Sequence, residues 1–290
     1  MANPPAWLPD KGMNAMWLPV ASQARRTVLG SRSASRILAA CLLSVSLLGG
    51  CSPGTKGASA PLIPQRPPDL SGFWNLDMRV ARDPQLLSKV APNTVLLDDT
   101  GPAELPAGNY GGLKLTPAAL EKARHWNPHD QLTLANACRP PSIVYAMQGP
   151  FPIEIFQSDV FIVIKLEYYD LVRIVFLDGR KAESDYPHSM TGFSRGHWEG
   201  STLVVETDHL EAATITNNGL DHTDHVRVLE RLRLSTDGRS LLATQEFEDP
   251  EVIENRGVRF IAWTRERGQH VFPYECDPNF AGNYSQGSVK

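Results

Sequence analysis

The stretch Leu220–Leu234, LDHTDHVRVLERLRL, decides how the chain is read. From Asp224 its residues alternate. Asp224, Val226, Val228, Glu230, Leu232 and Leu234 fall on one side of an extended strand; His225, Arg227, Leu229, Arg231 and Arg233 fall on the other. The valine-bearing side should face a core and the arginines should face water. Glu230 is then carried inward. A carboxylate in an apolar interior must pair with a cation, accept hydrogen bonds or stay protonated. Arg173, which alternates with Leu171, Val175 and Leu177, is one candidate partner and Arg259 is another. Two readings follow. The pair fixes strand register inside a packed core, or Glu230 sits on the wall of a cavity as a general acid or base.

The neighbouring sequence repeats the strand signal. PIEIFQ, VFIVIKLE, LVRIVFL, STLVVETDH, SLLATQEFE, GVRFIAWTRER and HVFPYEC are short, rich in β-branched and aromatic residues, and separated by turns. An all-β fold is expected: an antiparallel up-and-down barrel, closed so that no edge is exposed, with a two-sheet sandwich as the alternative. One short helix is expected in LTPAALEKARHW, where Thr116 caps and Pro117 takes the first helical position. In an up-and-down meander, alternate turns share an end. The turns at Asp178–Arg180 and Asp237–Arg239 then lie at the bottom. Tyr168–Asp170, the loop after His209 and the segment from Glu248 lie at the top.

Composition bounds the function. The chain has 290 residues and a formal net charge of −4, with no basic stripe, so nucleic acid is not an expected partner. Arg25, Arg26, Arg32 and Arg36 precede the apolar run Ile37–Leu48, which ends in LLGGC at Cys51. Basic residues, then an apolar run too short to span a bilayer comfortably, then small residues before a cysteine describe a bacterial lipoprotein leader. Residues 1–50 are read as that leader with an extended n-region, and Met13 and Met16 offer later starts. Cys51 is read as the lipidated residue, with residues 52–68 as a Pro/Gly/Ser-rich tether and 69–290 as one domain. Ser52 points to the outer membrane of a periplasm-facing envelope. The membrane partner is expected through the lipid alone. Cys138 and Cys276 remain, an even count in an oxidising compartment, and are expected to form a disulfide.

A resemblance adds to this. DLSGFW at Asp69–Trp74 is similar to the G-x-W start of lipocalin-like (calycin) barrels, in which the Trp closes one barrel end near a late Arg; Arg259, Arg265 and Arg267 are available for that place. The chain also resembles a widespread set of exported bacterial proteins, through DLSGFW, CRPP (Cys138–Pro141), DGR (Asp178–Arg180), WEGSTLVVET (Trp198–Thr207), HTDHVRVLER (His222–Arg231) and YEC (Tyr274–Cys276). It departs from that pattern at Ser201, Glu206 and Thr223. The likeness implies a barrel and export, and no reaction.

Asp224 and Glu230 lie about 20 Å apart along a regular strand, so they cannot serve one site. His209 and His222 flank one loop, and with Asp224 they are expected at the barrel mouth, where Asn217, Asn218 and Gly219 should make the loop mobile. No spaced metal motif appears, and neither metal nor cofactor is expected. Arg173, Tyr168, Tyr169, Tyr145 and Trp263 are candidates to line a cavity for a small apolar or aromatic ligand. The expected function is ligand binding, joined to non-redox acid–base chemistry. The alternatives are a cofactor-free isomerase or lyase acting through His222 and Asp224, and a structural envelope lipoprotein with a filled interior.

Overall fold

A computed structural model describes residues 66–131, 133–279 and 281. Cys51, the leader and most of the tether lie outside them. The strands are β1 (Gly72–Leu76), β2 (Thr94–Leu96), β3 (Ile153–Gln157), β4 (Phe161–Leu166), β5 (Val172–Phe176), β6 (Phe193–Glu199), β7 (Thr202–Asp208), β8 (Ala213–Thr216), β9 (Leu220–His222), β10 (Arg227–Leu234), β11 (Ser240–Glu248) and β12 (Arg256–Glu266). The sheet order is β1-β3-β4-β5-β6-β7-β10-β11-β12, and β12 pairs back onto β1. The barrel is therefore closed by nine strands. β2 lies outside the ring, parallel to β12. Closure removes the edges that an open sheet of these strands would present.

All joints in the ring are antiparallel except one: β5 and β6 run parallel. This departs from a pure up-and-down meander. FSRGHWE in β6 is a strand that the alternation did not announce, because Gly196 and Ser194 replace the apolar residues on its inward side. A Cβ at Gly196 would fall 2.8 Å from Val175, so glycine lets β5 and β6 approach. The crossover from Leu177 to Gly192 returns to the top before β6 descends. The extra strand and the return cancel, so the expected ends hold: Asp178–Arg180 and Asp237–Arg239 at the bottom, Tyr168–Asp170 and the loop after His209 at the top.

HVFPYEC is not a strand. Pro273 has no N–H to give a ladder. The segment is instead held by side chains, with Phe272 N–H donating to Glu167 (3.0 Å) and Tyr274 N–H to Asp170 (3.1 Å). The Cys138–Cys276 disulfide then fastens it to the segment before β3. The expected helix is present as Pro117–Arg124, with Thr116 accepting from Ala119 N–H. A one-turn helix, Ile143–Ala146, closes the top of the barrel from within.

The bottom is closed by Trp74. Its indole N–H donates to Leu70 O (3.0 Å), and the Arg265 guanidinium lies 4.3 Å from its ring centre. Arg265 also donates to the carbonyls of Ser71 and Asp69. Of the three late arginines, this is the one that sits against Trp74. Above it, Ile155, Ile164, Val175, Leu203, Leu232, Leu241, Ile261 and Trp263 fill the interior, all nearly inaccessible.

Candidate functional site

The strand parity of β10 places Glu230 inside the barrel, as its sequence predicts. It is 1% exposed and paired with Arg173, also 1% exposed. Arg173 further donates to Ser194 (3.0 Å) and Thr207 (2.7 Å), which bond each other. The other Glu230 oxygen accepts from Gln245 (3.3 Å), and Gln245 also donates to Ile143 O (3.0 Å). Gln245 stands opposite Arg259 across the ladder. Arg259, fully buried, grips Asp99 with two bonds (2.8 and 2.6 Å) and donates to the carbonyls of Val144 and Ile215. The result is a polar belt around the inner wall, from β5 to β12. It holds the stopper by its backbone: Ile143 and Val144 of the top helix and Ile215 of β8. Both buried carboxylates have a guanidinium, which meets the requirement that burial imposes.

The belt occupies the place where a ligand cavity would need to be. Arg173 and Trp263 are sealed in the core with Glu230, and none of the three lines any of the hollows described below. The expected ligand-lining set therefore divides: Tyr168 and Tyr169 face a cleft, while Arg173 and Trp263 do not.

The histidines divide too. His222 is 2% exposed; its Nε2 bonds Ser142 Oγ (2.6 Å) and its Nδ1 bonds Thr223 O (2.7 Å). A carbonyl oxygen only accepts, so Nδ1 carries the proton and Nε2 accepts from Ser142. Burial pushes the His222 pKa down and keeps the ring neutral. Both nitrogens are spent, so Asp224 is not its partner. Asp224 is exposed, on a turn that follows β9 and breaks the parity assumed between His222 and Glu230. The two side chains do border one surface hollow of about 540 Å³, without bonding each other. His209 lies elsewhere, bonded to Asp208 (2.7 Å) and 5.3 Å from the His188 ring. The carboxylate beside His222 is Asp249, fully buried, which accepts from the N–H and hydroxyl of Thr223. Among the described residues, no three His, Cys, Asp or Glu side chains stand together as a metal-ligand set.

The loop between β8 and β9 is pinned rather than loose. Asn218 is buried, accepts from Thr216 and donates to the carbonyls of Pro106 and Asn109. Gly219, with φ of 97°, packs so tightly that a Cβ would fall 2.3 Å from Trp126. Asparagine and glycine here serve close packing and a left-handed backbone, not motion.

These constraints shape a cleft of about 330 Å³ at the top of the barrel, outside the stopper. Tyr145, Tyr168, Tyr169 and Trp126 give it aromatic walls, and Glu104 and Arg139 give it charge. Tyr169 and Asp170 both have positive φ (55° and 54°), a strained turn that sets the two tyrosines. Tyr168 stacks on Phe151 at 4.5 Å and Tyr169 on Tyr274 at 4.6 Å, two residues from the disulfide. Glu104 accepts from Tyr145 (3.3 Å) and from Asn217 (2.7 Å). Burial raises the Tyr145 and Tyr168 phenols well above their ordinary range, so both stay protonated donors; for Tyr145 the nearby Glu104 charge adds to the effect. Glu104, Arg139 and Asn217 come from irregular segments where no periodicity flags a role. No family model matches this chain, and no curated protein matches it at a significant level.

Proposed function

We propose that this protein is a lipid-anchored envelope barrel that binds a small aromatic molecule bearing polar substituents. The site is the cleft at the top, not the barrel interior. The observation that carries this reading is the cleft itself: rigid tyrosines facing a carboxylate, an arginine and an amide, at a volume suited to a small ligand. Aromatic walls stack a planar ring, while Glu104, Arg139 and Asn217 orient its polar groups. Acid–base catalysis through His222 and Asp224 loses support, because both ring nitrogens of His222 are committed to structural bonds.

A second reading has its own observation. The filled interior and the stopper held by the polar belt suit a structural envelope lipoprotein. The two separate by titration. Against a panel of phenols and aromatic acids, followed by saturation-transfer NMR, the ligand reading expects binding tighter than about 1 mM, weakened at least tenfold by Tyr168→Ala. Absence of any such binding, or binding indifferent to Tyr168→Ala and Tyr145→Ala, would leave the structural reading.

A further inference from the structure

The outer wall of β3, β4 and β5 is apolar where a soluble barrel should be polar. Phe156 pairs laterally with Val163 and Val163 with Ile174; in the next row Phe161 pairs with Phe176. With Val160 on the bottom turn and Val172 above, these side chains form one continuous face. Phe156, Val160, Phe161, Val172 and Ile174 are each 41–51% exposed. Arg180, from the turn after β5, reaches over Phe176 at the lower edge, and the five exposed side chains remain open to solvent. A contiguous apolar face of this kind marks a surface that meets something apolar.

The position of the chain entry says what. The first described residues run along the same corner of the barrel. Gln157, next to Phe156, donates to Pro68 O (3.1 Å) and accepts from Leu70 N–H (2.9 Å), and its own N–H donates to Ser71 (3.2 Å). The tether therefore arrives at the bottom end beside the apolar face, while the cleft opens at the top. Only fourteen residues, Ser52 to Gln65, separate Cys51 from that point. Even as extended polyproline they span only about 43 Å, at about 3.1 Å per residue. Lys165, paired with Val172, stands at the upper edge of the face and suits lipid phosphates.

We infer that the β3–β5 wall rests on the lipid surface, with Phe156, Val160 and Phe161 in the interfacial layer and the cleft turned away from it. A short tether makes this contact effectively intramolecular, so a weak apolar contact suffices to hold one orientation. The inference rests on the lipid-anchor reading of Cys51. The competing occupant of the face is a second copy of the chain.

The full chain, produced with its own leader and reconstituted into phosphatidylethanolamine–phosphatidylglycerol vesicles, tests this. A trace of diazirine-bearing phospholipid is photoactivated and the labelled peptides are mapped by mass. The inference expects label on 153–176, and at least fivefold less in Phe161→Glu/Ile174→Glu with an unchanged melting temperature. Label confined to the peptide carrying Cys51, or spread equally over all walls, overturns it. So does an oligomer that the same substitutions dissolve while 153–176 stays unlabelled. The mass of the Cys51 peptide is read separately: an unmodified cysteine sinks the anchor reading, whereas labelling of 153–176 still supports the lipid contact.

Discussion

Replacing either member of the Arg173–Glu230 pair probes the packed interior directly. Both side chains are sealed from water, and among the described residues neither has a second ion-pair partner. Glu230→Leu leaves the Arg173 guanidinium with only two hydroxyls, Ser194 and Thr207. Arg173→Met leaves a carboxylate with one long bond from Gln245. Each single change strands a buried charge, which costs about 3–5 kcal/mol. The double replacement strands none. Its remaining cost is the loss of partners for Gln245, Ser194 and Thr207, and Ser194 and Thr207 still bond each other. The double variant should lie within about 2 kcal/mol of the parent, since exchanging a buried pair for apolar side chains is often near neutral. Urea unfolding followed by tryptophan fluorescence, with the disulfide intact, reads all four proteins, and coincident circular dichroism checks that the transition is two-state. Single variants within 1 kcal/mol of the parent would refute the reasoning, because they would mean that water reaches the pair. Additive losses in the double variant would refute it equally.

Three further outcomes are expected. Reducing Cys138–Cys276, which are 138 residues apart, should destabilise the barrel by about 5 kcal/mol on the chain-entropy account and loosen the Tyr169–Tyr274 stack, seen as a lowered urea midpoint and altered near-ultraviolet circular dichroism. Replacing Arg265 by Lys keeps the charge but loses the forked bonds to Ser71 and Asp69 and the flat contact on Trp74; a loss of about 1–3 kcal/mol by urea unfolding is expected. His222 has a folded-state pKa depressed by burial, so below its ordinary value of 6.5 the unfolded chain binds a proton that the folded one refuses. Its contribution is complete above about pH 6.5 and declines as the pH falls toward the folded pKa. His222→Asn should flatten that slope between pH 7.5 and 5.5, whereas replacing exposed His225, whose pKa is raised by Glu251, should steepen it.

The barrel was legible because its strands obey a rule with few exceptions. In β10, Val228, Glu230 and Leu232 alternate with three arginines, and only one orientation avoids burying those arginines. The partner of Glu230 was within reach for the same reason, since Arg173 alternates with apolar neighbours in β5. Parity failed where the chain stopped being a strand. The turn at Asp224 cut the link between His222 and Glu230, so a mouth built from His209, His222 and Asp224 did not assemble. Asp99 and Glu104 were illegible for a different reason. They sit in a Pro- and Gly-rich segment whose path is set by side-chain anchors, Arg259 for the one and Asn217 for the other, across more than a hundred residues. Local pattern carries no information about such contacts. Tyr168 and Tyr169 were found by residue type and their turn by its place between two strands; the positive φ of Tyr169 and Asp170 that aims them was not.

The tryptophans allow one decisive measurement. Trp126 lines the top cleft, whereas Trp74 and Trp263 are fully buried in the barrel. With 5-fluorotryptophan incorporated and p-cresol as the probe, the account predicts that the Trp126 fluorine resonance shifts with saturation while those of Trp74 and Trp263 stay still. A shift at Trp263 with Trp126 unmoved would place the ligand inside the barrel and contradict the account.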